Sequence, residues 1–174
     1  MAHHVPLAPR TEGRRIPGHR LGEKEMLWAW LRFARATVEA KTTGLTPAQL
    51  RLPVPVPSGT SLGGLLTHLV TVEHHWFGNV LGGRGHPMPF GPDDPDGDWR
   101  VAPDDDADTL LTRYREACTA SDEVIAALAL DEVGAQPTGD YTLRWALAHV
   151  TVDTSRHAGH ADLLRELLDG ERGW

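Results

Sequence analysis

Only one cysteine, Cys118, occurs among the 174 residues. That excludes an internal disulfide and fits a reducing cytoplasm, where the protein is expected to reside. No run approaches the roughly eighteen consecutive apolar residues of a membrane span. Positive charge is also short: 17 Lys and Arg face 24 Asp and Glu, a formal net charge of -7. A nucleic-acid-binding domain would carry the opposite balance. The opening stretch MAHHVPLAPRTEGRR has basic residues but no apolar run behind them, so it does not read as a secretory signal. Strand-like alternation and internal repeats are absent. The length suits one domain with a sizeable core. Residues 1–20, rich in Arg, Pro, Gly and His, read as a tail or surface arm, and 21–174 as the domain.

What the sequence has in abundance is helical periodicity. A first helix is expected over roughly 23–43, where Leu27, Trp30, Leu31, Ala34 and Val38 recur at steps of three and four. Thr46-Pro47 can start a short turn of helix, and the alternating prolines of RLPVPVPSG (51–59) impose extended backbone. A second helix starts at Thr60 or Ser61, follows Leu62, Leu65, Leu69, Val72, Trp76 and Val80, and stops at Gly82-Gly83. Gly63 and Gly64 weaken its first turn by roughly 1 kcal/mol each, and would let another backbone approach. Asp104, Asp105 and Asp106 favour the start of a third helix, whose face includes Leu110, Tyr114, Cys118 and Ile125. A fourth runs from about Thr142 to Asp169. Its line Leu143, Leu147, Val150, Thr154, His157, Ala161, Leu164 and Leu168 alternates steps of four and three, a bundle seam. The fold class is all-α: a four-helix bundle. The long segment 84–105 can serve as a crossover between parallel neighbours. Its DDPDGD run has glycine in the wrong place for a calcium loop and reads as a solvated acidic loop.

Histidine is the unusual component, with ten copies gathered mostly on two segments. Asp153 and His157, four apart, share one helix face and can chelate one cation. His68, one turn from Leu65 and Val72, borders the buried face of the second helix. Three such ligands inside a bundle leave an open coordination position, as in a catalytic rather than a structural zinc site. The competing reading is a hydrogen-bonded core histidine beside a helix-stabilising ion pair. His149, one turn before Asp153, is a candidate to line the same cavity or support a ligand. His74 and His75 read as rim residues, Arg156 as solvated, and Glu73 as pointing away from the ion. Cys118 reads as a buried apolar-like residue rather than a nucleophile.

The segments SGTSLGGLLTHLVTVEHHWFG and TLRWALAHVTVDTSRHAGHADLLRELLDG resemble the DinB/YfiT-like superfamily of helical-bundle metalloproteins, over about residues 23–170. The closest likeness is to an actinobacterial branch of unknown function, related to mycothiol-dependent maleylpyruvate isomerases. The resemblance implies a divalent metal, zinc or else nickel, held by His68, Asp153 and His157. Relatives carry His-x-x-x-His or Glu-x-x-x-His on the last helix, so Asp153 is a shortened carboxylate. His160 stands where relatives often have Gln or His, a hydrogen-bond partner of a ligand or a donor to substrate. The implied activity is transfer of a low-molecular-weight thiol such as mycothiol to a small-molecule substrate. Metal-assisted hydrolysis, or a non-catalytic metal- or ligand-binding bundle, would use the same residues. Relatives often dimerise, which makes a homodimer the expected assembly.

Overall fold

The computed structural model describes residues 14–53, 59–136 and 139–172. Most of the expected arm, and positions 54–58 of the proline-rich stretch, lie outside the described residues. Among the described residues five α-helices form: α1 (Glu23–Thr42), α2 (Pro47–Arg51), α3 (Leu62–Glu73), α4 (Ala107–Ala127) and α5 (Leu143–Asp169). No strand forms among the described residues, which carry two isolated bridges, Gly91 with Asp94 and Val133 with Thr142. None of the described helices is long and apolar enough to cross a membrane.

Side-chain caps start most of these helices. Thr46 accepts from the Gln49 amide, Ser61 from Gly64, Asp106 from Thr109 and Thr142 from Trp145. Gly170, at φ 80, ends α5 in the left-handed conformation that glycine adopts without strain. Beyond Glu73 the helix continues without a break but widens into a π-helix, His74–Leu81. The Gly82 amide accordingly reaches back five residues to the Phe77 carbonyl at 3.0 Å. The sequence pattern foresees a helix here but not its pitch, because over two turns one apolar line serves either geometry.

Contacts between helices fix their directions. Lys24 on α1 donates to the Ala126 carbonyl at the end of α4, and Arg115 near the start of α4 bonds Glu39 near the end of α1. These two helices are antiparallel. Glu23 pairs with Arg144 and Lys41 with Asp162, so α1 and α5 run parallel. A methyl placed on Gly63 would lie 3.5 Å from Leu110, and one on Gly82 would lie 3.2 Å from Val124. α3 and α4 are therefore parallel, and the connection between them must travel back along the bundle, as expected of a crossover.

That connection is held down at several points. The Asn79 side chain exchanges two hydrogen bonds with the His86 backbone, at 2.8 and 2.6 Å. Arg51 donates to the Ala102 and Pro103 carbonyls, and Arg113 pairs with Asp105. A Cβ on Gly64 would sit 2.6 Å from the Trp99 carbonyl oxygen, and one on Gly63 2.9 Å from that of Leu50. The two glycines thus admit neighbouring backbone onto the first turn of α3. The acidic loop is not simply solvated: Asp98 and Asp105 are both buried.

The core has two apolar clusters. One gathers Leu65, Leu69, Leu110, Tyr114 and Ala161; the other Leu31, Phe77, Ile125, Leu147 and Val150. Each fully buried Leu, Ile, Val or Phe side chain among them contributes about 1.5–3 kcal/mol. Where α1 and α3 pass from one cluster to the other they carry Arg35 and Glu73. Nε and Nη2 of Arg35 clasp the Glu73 carboxylate at 2.7 and 2.6 Å, while Nη1 bonds Asp122 at 2.7 Å. Thr154, wholly buried on α5, lies at the same junction between Val150 and Ala158.

Candidate metal centre

α3 and α5 cross so that His68 from one faces Asp153 and His157 from the other. One donor atom from each lies within 4.8 Å of the other two. A tetrahedral zinc site with bonds of about 2.0–2.2 Å separates its ligand atoms by about 3.4 Å, so a contraction of at most about 1.4 Å completes it. Two imidazoles and a carboxylate are also the donor types such an ion prefers. The residues fit the group.

Each imidazole is prepared differently. His68 Nδ1 lies 2.7 Å from Asp98 Oδ2, and its ring stacks on Trp99 with centroids 4.4 Å apart. With the Nδ1 proton donated to Asp98, Nε2 keeps its lone pair. A carboxylate in this place fixes both the tautomer and the ring orientation of a metal-binding histidine. His157 Nε2 is buried and has no hydrogen-bond partner, 3.7 Å from Asp153 Oδ1. Burial pushes the His157 pKa down to about 4, against the opposing pull of Asp153. Its imidazole is therefore neutral at pH 7, the state a metal requires. An unpartnered ring nitrogen in a dry site is unfavourable unless something accepts its lone pair.

The other histidines separate clearly. His160 is exposed, and its Nδ1 stands 3.4 Å from His157 Nδ1, in position to exchange a proton with that ring. His149 does not approach the three ligands as a hydrogen-bond partner. It stacks on Trp145 at 4.6 Å and lines the cleft beside them. His75 lines this cleft too, while His74 stacks on His86 at 4.2 Å. Arg156 is exposed but not merely solvated: its Nη2 holds Asp153 Oδ1 at 2.6 Å. An ion at the cluster would compete with it for that oxygen. Glu73 points instead to Arg35. The Cys118 thiol, pushed up by burial and by Glu73, is no thiolate.

Sequence reasoning missed Asp98. Replacing it with alanine should weaken metal binding about 10–100-fold, the range seen when a ligand's supporting partner is lost. Titration of metal-free wild type and variant with Zn²⁺ against a chromophoric chelator measures this; equal affinities would remove Asp98 from the site.

The cleft over the cluster has a volume of about 370 Å³. Its walls include Val72, Trp76, Phe90 and Trp99 along with His68 and Asp153. Comparison with family models matches residues 26–170 to the family described as MST, mycothiol-S-transferase. A comparison with curated proteins gives no match.

Proposed function

The chain belongs to the mycothiol-S-transferase family, and from that premise we propose that it transfers a low-molecular-weight thiol, mycothiol by family, to an electrophilic small molecule. His68, Asp153 and His157 would hold one divalent ion, zinc before nickel, and leave a coordination position open to the cleft. When bound, such an ion supplies the acidity that turns a thiol into a thiolate at neutral pH. The chain's own residues do the rest. Asp98 and Trp99 fix the His68 ring, and His160 sits against His157 as the partner that sets its proton. Asp153 lends the negative charge that two neutral imidazoles lack.

The observation carrying this reading is the buried, partnerless Nε2 of His157 within a three-ligand cluster. The Arg156–Asp153 pair favours a second reading, a bundle that binds a small ligand without catalysis, because it already neutralises the carboxylate. Metal content and turnover separate the two. Protein purified without chelators should carry about one divalent ion per chain and conjugate mycothiol to monochlorobimane. Stripping the ion should abolish conjugation, and zinc should restore it. Conjugation that is unaffected by removing the ion would sink the metal-dependent mechanism, and a wild type that takes up no ion would leave the non-catalytic reading.

A further inference from the structure

The cleft wall opposite the charged residues is aromatic, and its chemistry points to the acceptor. Trp76, in the π-helical turn, has four ring neighbours: Tyr141 at 5.3 Å, Trp145 and His149 at 4.8 Å, and His75 at 4.9 Å. These interplanar angles run from 50° to 80°, so none of the four lies flat on the indole. None of these neighbours is stacked face to face on the indole, which is packed against the second apolar cluster and also lines the cleft. Phe90, from the crossover connection, lines the same cleft and is 44% exposed. A ring serving only to pack would be buried, whereas an exposed aromatic on the wall of a concavity, as Phe90 is, marks a binding surface.

The charged side chains that line the cleft are paired with one another or with a ligand histidine. Asp98 is engaged by His68, and Asp153 by Arg156. Burial and the neighbouring His149 hold His75 below the ordinary histidine range, so it is neutral at pH 7.

We infer, resting on the transferase reading, that Trp76 and Phe90 form the acceptor subsite and select planar aromatic electrophiles. For an aryl halide the step balances simply. The thiol sulfur forms a bond to the ring carbon, the halide leaves with the carbon–halogen electron pair, and the thiol proton goes to solvent.

The test compares 1-chloro-2,4-dinitrobenzene with iodoacetamide as acceptors for mycothiol, and uses unreactive 2,4-dinitroaniline in calorimetric titrations. Trp76→Leu should weaken dinitroaniline binding and raise KM for the aryl halide about tenfold, the upper end of what one stacked ring contributes. Turnover of iodoacetamide should fall by clearly less than that of the aryl halide, because a small non-aromatic acceptor has nothing to stack. Phe90→Ala, on an exposed loop side chain, should act in the same direction without touching the core. Dinitroaniline binding unchanged in both variants, or equal losses for both acceptors, would overturn the subsite. A wild type that binds dinitroaniline yet turns over neither acceptor refutes the transferase reading while supporting the aromatic wall. One that turns over iodoacetamide but does not bind dinitroaniline does the reverse.

Discussion

His157→Ala is expected to leave the protein without tightly bound metal and to lower thiol transfer by more than about 100-fold. That exceeds what loss of a supporting partner brings, because a donor atom itself is removed. Only His68 and Asp153 would remain, and Asp153 is already clasped by Arg156 at 2.6 Å. The consequence for stability is measurable apart from activity. A ligand that binds only the folded state stabilises it by about 2.7 kcal/mol at a hundred times its Kd. Saturating zinc should therefore raise the melting temperature of wild type and leave that of His157→Ala unmoved. With a chelator present the two proteins should melt closer together, since the imidazole's buried nitrogen has no protein partner to lose. A variant that still gains stability from zinc would exclude His157 as a ligand.

Arg35→Ala is expected to destabilise the fold by about 3–5 kcal/mol, the consequence of leaving one member of a buried ion pair behind. The side chains of Arg35 and Glu73 are 6% and 2% exposed. Burial alone would depress the guanidinium pKa, yet it is raised, with Glu73 the foremost group holding the charge in place. Without Arg35, the side-chain hydrogen bond left to the carboxylate among the described residues is the long one from the Cys118 thiol, at 3.9 Å. The urea midpoint reports the loss. The paired change Arg35→Met with Glu73→Leu should recover most of it, since apolar side chains of similar volume often replace a buried ion pair at little loss. A double variant no more stable than Arg35→Ala would show that the pair does more than satisfy itself.

The helical seam of α5 was readable because burial follows the same three-and-four spacing that the sequence displays; Leu143, Leu147, Val150, Thr154, His157, Ala161 and Leu164 are all buried. Asp153 and His157 came into view for the same reason, as neighbours one turn apart. Asp98 could not. It lies 30 residues from His68, in a stretch whose composition resembles any solvated loop. What buries it is the close approach of the loop to Gly63 and Gly64, a tertiary fact. The Arg35–Glu73 pair was hidden likewise: its members sit on different helices, 38 residues apart. The widened turn at His74–Leu81 left no mark on the apolar pattern at all.

Because α5 contributes Asp153 and His157 while α3 contributes His68, the site is incomplete until residue 157 has joined the growing chain. Domains tend to gain structure from the N-terminal side during synthesis. α1, α3 and α4 can come together on the ribosome, but they present one imidazole, too little to retain an ion. On the metal-dependent reading, loading therefore belongs after residue 157 has been made, when α5 docks alongside α1. On that reading the ion and the last helix arrive together, late in the making of the fold.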